Sequence, residues 1–120
     1  MPGSGGEFRF QRDERLKKGS EIKMVFSKGK RTGCQGAKLF ALENGLARNR
    51  VCFTLSRGFA CAVRRNRAKR LGREAYRLLS PGLRRGYDLV FLALPEDAET
   101  GLERRMGQMR RLFAKSGLAR

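Results

Sequence analysis

The chain has 120 residues with 28 Lys and Arg against 11 Asp and Glu, a formal net charge of +17 and no histidine. That length supports one core and not two, and an excess of charge that repels itself in a compact chain calls for a polyanionic partner such as nucleic acid. Imidazole acid–base chemistry is excluded, and Cys34, Cys52 and Cys61 lack the paired spacing of zinc knuckles, so structural zinc is not expected and free thiols in a reducing cytosol are.

No apolar run approaches the roughly 20 residues that span a bilayer, and the N-terminus lacks the apolar centre of a secretory signal, so a soluble cytoplasmic protein without a membrane partner is expected. Met1 to Gly6 offers nothing to pack; a disordered tail is expected over residues 1–8, with a single domain over 9–120. Glu7 to Lys18 reads as an extended arm laid on the domain through Phe8, Phe10 and Leu16. Ser20 is placed to cap a short helix with Glu21 in its first turn; Ile22, Val25 and Phe26 share one face, and Gly29 ends it.

Ala37 to Glu43 reads as a strand, followed by a turn at Asn44-Gly45 and a polar loop to Arg50. Val51 to Ser56 alternates, with Val51, Phe53 and Leu55 on one face and Cys52, Thr54 and Ser56 on the other, as a sheet covered on one side requires. A long helix follows over Ala62 to Leu79. Its spacing puts Ala68, Leu71, Ala75, Leu78 and Leu79 on one side and Asn66, Lys69, Arg70, Arg73 and Arg77 on the other. Ser80-Pro81-Gly82 closes it.

Tyr87 to Leu94 is an apolar run broken only by Asp88, which suits a strand buried on both faces. Thr100 to Glu103 has capping-box spacing. Leu102, Met106, Met109 and Phe113 then mark a last helix to about Ser116, with Gly117 beyond it. The order implies an α+β layer, a small mixed sheet with helices packed on it. No phosphate-cradling glycine loop and no nucleophile elbow is present, and the acids of Glu96 to Glu99 sit where a helix start explains them, so no catalytic group is assigned to the protein.

The long helix carries the functional signal. From Arg64 to Arg73 it holds six basic residues and no acid, a single-signed face that repels itself unless phosphates share it. Ser56-Arg57 followed by Ala62-Val63-Arg64-Arg65-Asn66-Arg67-Ala68-Lys69-Arg70-Leu71-Gly72-Arg73-Glu74, with Val25-Phe26-Ser27-Lys28-Gly29-Lys30-Arg31 upstream, resembles the signature of the bacterial ribonuclease P protein component, and the similarity extends over residues 12–118. The triplet Arg-Asn-Arg is not by itself specific, because it recurs at Arg48-Asn49-Arg50.

The resemblance implies a fold like the second domain of ribosomal protein S5, with a left-handed strand–helix–strand crossover, against the right-handed rule that holds in about 98% of parallel crossovers. It also implies that the chain assists removal of the 5′ leader from precursor tRNA by an RNA subunit that performs the Mg²⁺-dependent hydrolysis. Arg65, Asn66, Arg67, Lys69, Arg70 and Arg73 would contact the RNA subunit. Ile22, Phe26, Phe40, Ser56 and Arg57 would border the cleft that receives the leader, where planar rings stack on unpaired bases. Two departures stand out: Ile22 where the family usually has Phe, and Ala60-Cys61 where it usually has Gly-Asn. A structural RNA-binding protein of the ribosome would share the charge and size, but not the phrase at 62–74 joined to Phe26 and Phe40. A membrane-surface peptide would need a larger apolar face than Ala68, Leu71 and Ala75 provide.

Overall fold

The computed structural model describes residues 15–56, 61–94 and 101–119. Gly19–Lys28 forms helix α1, Lys30–Cys34 strand β1, Ala37–Glu43 β2 and Arg50–Leu55 β3. Ala62–Leu79 forms α2, continued by a 3₁₀ turn at Ser80–Gly82, and Tyr87–Ala93 and Leu102–Ser116 form β4 and α3. The sheet order is β1-β2-β4-β3. β2 pairs antiparallel with β1 and β4, whereas β3 runs parallel to β4 and reaches it through α2.

β4 lies inside the sheet and, like its neighbour β2, is apolar on both faces. Leu89 and Phe91 pack with Leu39, Ala41 and Val51 beneath α2 and α3, while Val90 packs with Phe40, Val25 and Leu16 on the α1 side. The alternation expected of β3 holds: Val51, Phe53 and Leu55 belong to the α2–α3 core, and Cys52 packs on the other face. β1 is the strand that sequence patterning does not place. Lys-Arg-Thr-Gly-Cys has no apolar alternation, since its residues pair with β2 at an edge and keep no buried position. Gly36, at φ 89°, makes the turn into β2.

Several local expectations are corrected. α1 begins at Gly19 behind an extended Lys18 with no side-chain cap, so Ser20 lies inside the helix. Gly29 does end α1, but in extended backbone. The position needs glycine because a Cβ there would lie 2.5 Å from the Val25 carbonyl oxygen and 3.0 Å from that of Ala41. α3 is capped at Gly101 without a side-chain bond, one residue beyond the expected capping box. After α2 the chain turns at Gly86, φ 98°, while Gly82 keeps a negative φ. Gly117 closes α3 in the left-handed conformation as expected.

Both long helices are rotated relative to their apolar spacing. α2 buries Ala68, Gly72, Ala75 and Tyr76 and leaves Leu78 exposed. Gly72 is needed because a Cβ there would sit 2.9 Å from the Phe53 ring, so the helix lies close on β3. α3 buries Leu112 and Arg105 besides Met109 and Phe113, with Leu102 and Met106 only half-buried. The buried Arg105 donates from Nη1 to Gln108 Oε1 at 2.9 Å and lies over the Phe91 ring, 5.4 Å from its centroid. The expected N-terminal tail, Arg57, Ala60, Thr100 and the acids of 96–99 lie outside the described residues.

Candidate nucleic-acid interface

α2 positions the basic residues by burying their opposite side. With Ala68, Gly72, Ala75 and Tyr76 against the sheet, Arg65, Asn66, Arg67, Arg70 and Arg73 stand exposed, and Lys69 is half-buried at the flank. Among the described residues no carboxylate forms an ion pair with Arg65, Lys69, Arg70 or Arg73; Glu74 pairs with Arg77 instead. That pairing holds the Glu74 carboxyl below its ordinary value through the Arg77 hydrogen bond. The first intrahelical bond runs from Arg65 N–H to Cys61 O at 3.1 Å, so the N–H groups of residues 62–64 precede the ladder and add to the attraction for phosphate. Cys61 stands at the N-cap without a capping bond.

The second group of expected residues lies on the opposite face of the sheet. Phe26 on α1 is 39% exposed and meets Phe40 of β2 edge-on, with centroids 4.8 Å apart and planes at 64°. Phe40 itself is 8% exposed, within the cluster of Leu16, Val25 and Val90. The two aromatics are therefore brought together, but only Phe26 offers much ring surface to a ligand. Ile22, half-buried, packs on the same cluster, and Ser56, half-buried, follows β3 with its N–H on Ala93 O at 3.0 Å. Arg57 lies outside the described residues.

α1 is fastened to this face by charges that sequence reasoning left unassigned. Asp88 of β4, the break in the apolar run, accepts from Arg50 Nε at 2.8 Å, Arg50 Nη2 at 2.6 Å and Asn44 Nδ2 at 2.9 Å. Arg50 also reaches Glu21 of α1 at 3.3 Å. The available signal was the lone acid inside an apolar strand, which demands a cationic partner. The other copy of Arg-Asn-Arg supplies that partner. Its Asn49 is buried, donating to Arg84 O at 2.8 Å and accepting from Tyr87 N–H at 2.9 Å.

Lys69 and Arg73 lie at the outer edge of β3, close enough to Cys52 to favour its thiolate; burial outweighs them and pushes the Cys52 thiol up. Arg15 and Lys17 of the arm flank the same edge, and sequence reasoning gave neither a role. The only signal was two cations bracketing the anchoring Leu16. No group of three or more His, Cys, Asp or Glu side chains suited to a metal stands together among the described residues. No helix among them is long and apolar enough to cross a membrane.

Comparison with known proteins fits this geometry. The family model described as Ribonuclease P matches residues 10–117. The ribonuclease P protein component of Caldanaerobacter subterraneus subsp. tengcongensis is 38% identical over 104 residues, which is 87% of this chain and 90% of that one. The same component of Natranaerobius thermophilus is 40% identical over 103 residues, 86% and 90% of the two chains. In fold, the chain matches the Staphylococcus aureus RNase P protein with a TM-score of 0.80 at 17% identity, covering 89% of this chain and 98% of that one. The Thermotoga maritima RNase P protein gives 0.77 at 24%, covering 85% and 96%. The ribosomal alternative finds no such support, and a match from residue 10 to 117 with relatives of this identity places the chain in the ribonuclease P protein family, the protein subunits of a tRNA-processing ribonucleoprotein enzyme.

Proposed function

We propose that residues 9–120 act as one RNA-binding unit in the cytoplasm, with the exposed face of α2 on the RNA subunit and the α1 face of the sheet on the 5′ leader of precursor tRNA. The observation that carries the first half is the cationic face of Arg65, Lys69, Arg70 and Arg73, presented by the helix and not paired with any carboxylate among the described residues. Asn66 and Arg67 lie on the same exposed side. Phosphates bound there release condensed counterions, which gives affinity without sequence reading.

The second half rests on Phe26, whose exposed ring is braced edge-on by the buried Phe40, with Ile22 packed on the same cluster; Ser56 and Arg57 are assigned to the leader as well. Such a ring takes the face of an unpaired base, which a leader provides and a mature 5′ end does not. Bound Mg²⁺ would supply Lewis-acid activation in phosphodiester hydrolysis. Mg²⁺ takes oxygen ligands, and the acids among the described residues form no cluster fitted to hold it. We place the metal with phosphates of the RNA subunit, and the protein's part is to bind, orient and neutralise.

The test is reconstitution with a bacterial ribonuclease P RNA and cleavage of precursor tRNA at low Mg²⁺, with and without the chain. The protein should raise the rate when RNA is present and cleave nothing alone. An unchanged rate rejects the proposal.

A further inference from the structure

The outer edge of β3 joins the two surfaces and carries a groove of its own, of about 220 Å³. One wall is the arm. Leu16 is buried and its N–H donates to Val51 O at 2.9 Å, so its neighbours Arg15 and Lys17 are held at the surface on either side. The facing wall is Arg73 of α2, with Lys69 one turn earlier and both in electrostatic reach of Cys52. Residues 51–53 of β3 form the floor, where Cys52 belongs to the α1 face and Phe53 to the α2 face. Three cations, Arg15, Lys17 and Arg73, thus line a partly apolar floor with Lys69 nearby, and among the described residues no acid lines the groove.

We infer that this groove binds one unpaired nucleotide of RNA, its phosphate between the Lys17 and Arg73 walls and its base over the β3 floor. The inference rests on the RNA-binding reading above and deepens it. Converging cations of one sign focus a field that selects a polyanion. A bare phosphate site would have no use for the half-buried Cys52 and Phe53 ring, whereas a base has an apolar face to cover them. The groove is small and open to solvent, so it covers part of one nucleotide rather than enclosing it. Its position matters equally. A strand of RNA passing from the basic face of α2 to the aromatic face under α1 must round the β3 edge, and the groove lies at that crossing.

Cys52 makes the site readable. Iodoacetamide labelling is followed at pH 8 by peptide mass, with Cys34 on β1 as internal reference. A short single-stranded RNA should slow labelling of Cys52 by about fivefold or more at concentrations that saturate binding, leaving Cys34 unchanged. Equal protection by inorganic pyrophosphate or by a perfect duplex, or no protection at saturation, overturns the inference. Two further arms identify the source. Protection by the RNA subunit alone assigns the nucleotide to it, and protection only when leader-bearing precursor joins the reconstituted enzyme assigns it to the leader; protection in neither overturns the site. Lys17→Ala should weaken protection about tenfold with an unchanged melt, and Lys17→Arg should restore it. Stimulated cleavage with Cys52 left reactive would sink the groove and leave the proposed function standing, while loss of stimulation would sink that function.

Discussion

Replacing Asp88 by Ala removes the acceptor of three hydrogen bonds, at 2.6, 2.8 and 2.9 Å, from a carboxylate whose side chain is 8% exposed. It leaves the Arg50 guanidinium, 19% exposed, with only the longer contacts to Glu21 at 3.3 and 3.5 Å. Breaking a buried pair from one side costs about 3–5 kcal/mol, because the surviving charge is desolvated without compensation. Arg50 keeps some water and one partner, so the low end, about 3 kcal/mol, is expected. For a domain of this size that lowers Tm by about 10–15 °C. The assay is a circular-dichroism melt at fixed ionic strength, and the control is a cycle with Arg50→Met. If the carboxylate serves chiefly to hold Arg50, the double variant should be more stable than Asp88→Ala alone. A Tm depression under about 4 °C, or simple additivity in the cycle, refutes the reasoning.

Replacing Lys69, Arg70 and Arg73 together by Ala should reduce the slope of log K against log salt for the RNA subunit by about 2–3, at about 0.7–0.9 per phosphate contact, and a parental slope would place the contact elsewhere. Phe26→Ala should melt like the parent yet lose about 5- to 150-fold in precursor binding with mature tRNA unaffected, whereas Phe40→Ala should cost about 3–5 kcal/mol of stability and impair both substrates; parental precursor binding by the Phe26 variant rejects the leader contact. Burial raises the Cys52 thiol, so its contribution to stability is complete below the unfolded thiol's value and is lost as pH rises through the folded one. Denaturant titrations from pH 8 to about 10.5 should therefore show the parent losing more stability than Cys52→Ala, and parallel curves would count against that burial.

What could be read from the sequence follows from where each signal originates. Strands β2, β3 and β4 and the three helices of the described residues are visible because apolar periodicity reports burial, and the cationic face of α2 is visible because charge does not depend on rotation by half a turn. β1 is hidden: an edge strand gains its order from the backbone of β2 and needs no apolar code. The tilt of α2 is hidden for a related reason, since the buried contact at its centre is Gly72, whose missing side chain is what lets Phe53 approach. Arg105 defeats periodicity outright, being a buried cation that bonds Gln108 and lies over the Phe91 ring. In the candidate site, the aromatic pair is legible as residue types, yet only packing separates the exposed Phe26 from the buried Phe40. The β3 groove is not legible at all, because the arm and α2 meet there only after folding.

The chain writes Arg-Asn-Arg twice, and the two copies have opposite destinies under mutation. At 48–50 the asparagine is bonded at both ends to the segment entering β4 and the second arginine is locked to Asp88. At 65–67 all three side chains stand in solvent. In a saturation library scored both for cellular abundance and for processing, Asn49→Asp would vanish from the abundance axis, since a carboxylate cannot donate to the Arg84 carbonyl. Asn66→Asp would persist at normal abundance and fail, if it fails, only in processing. Identical tripeptides would thus sort to different axes of one experiment, and a motif scan that weights them equally would misread half of its matches.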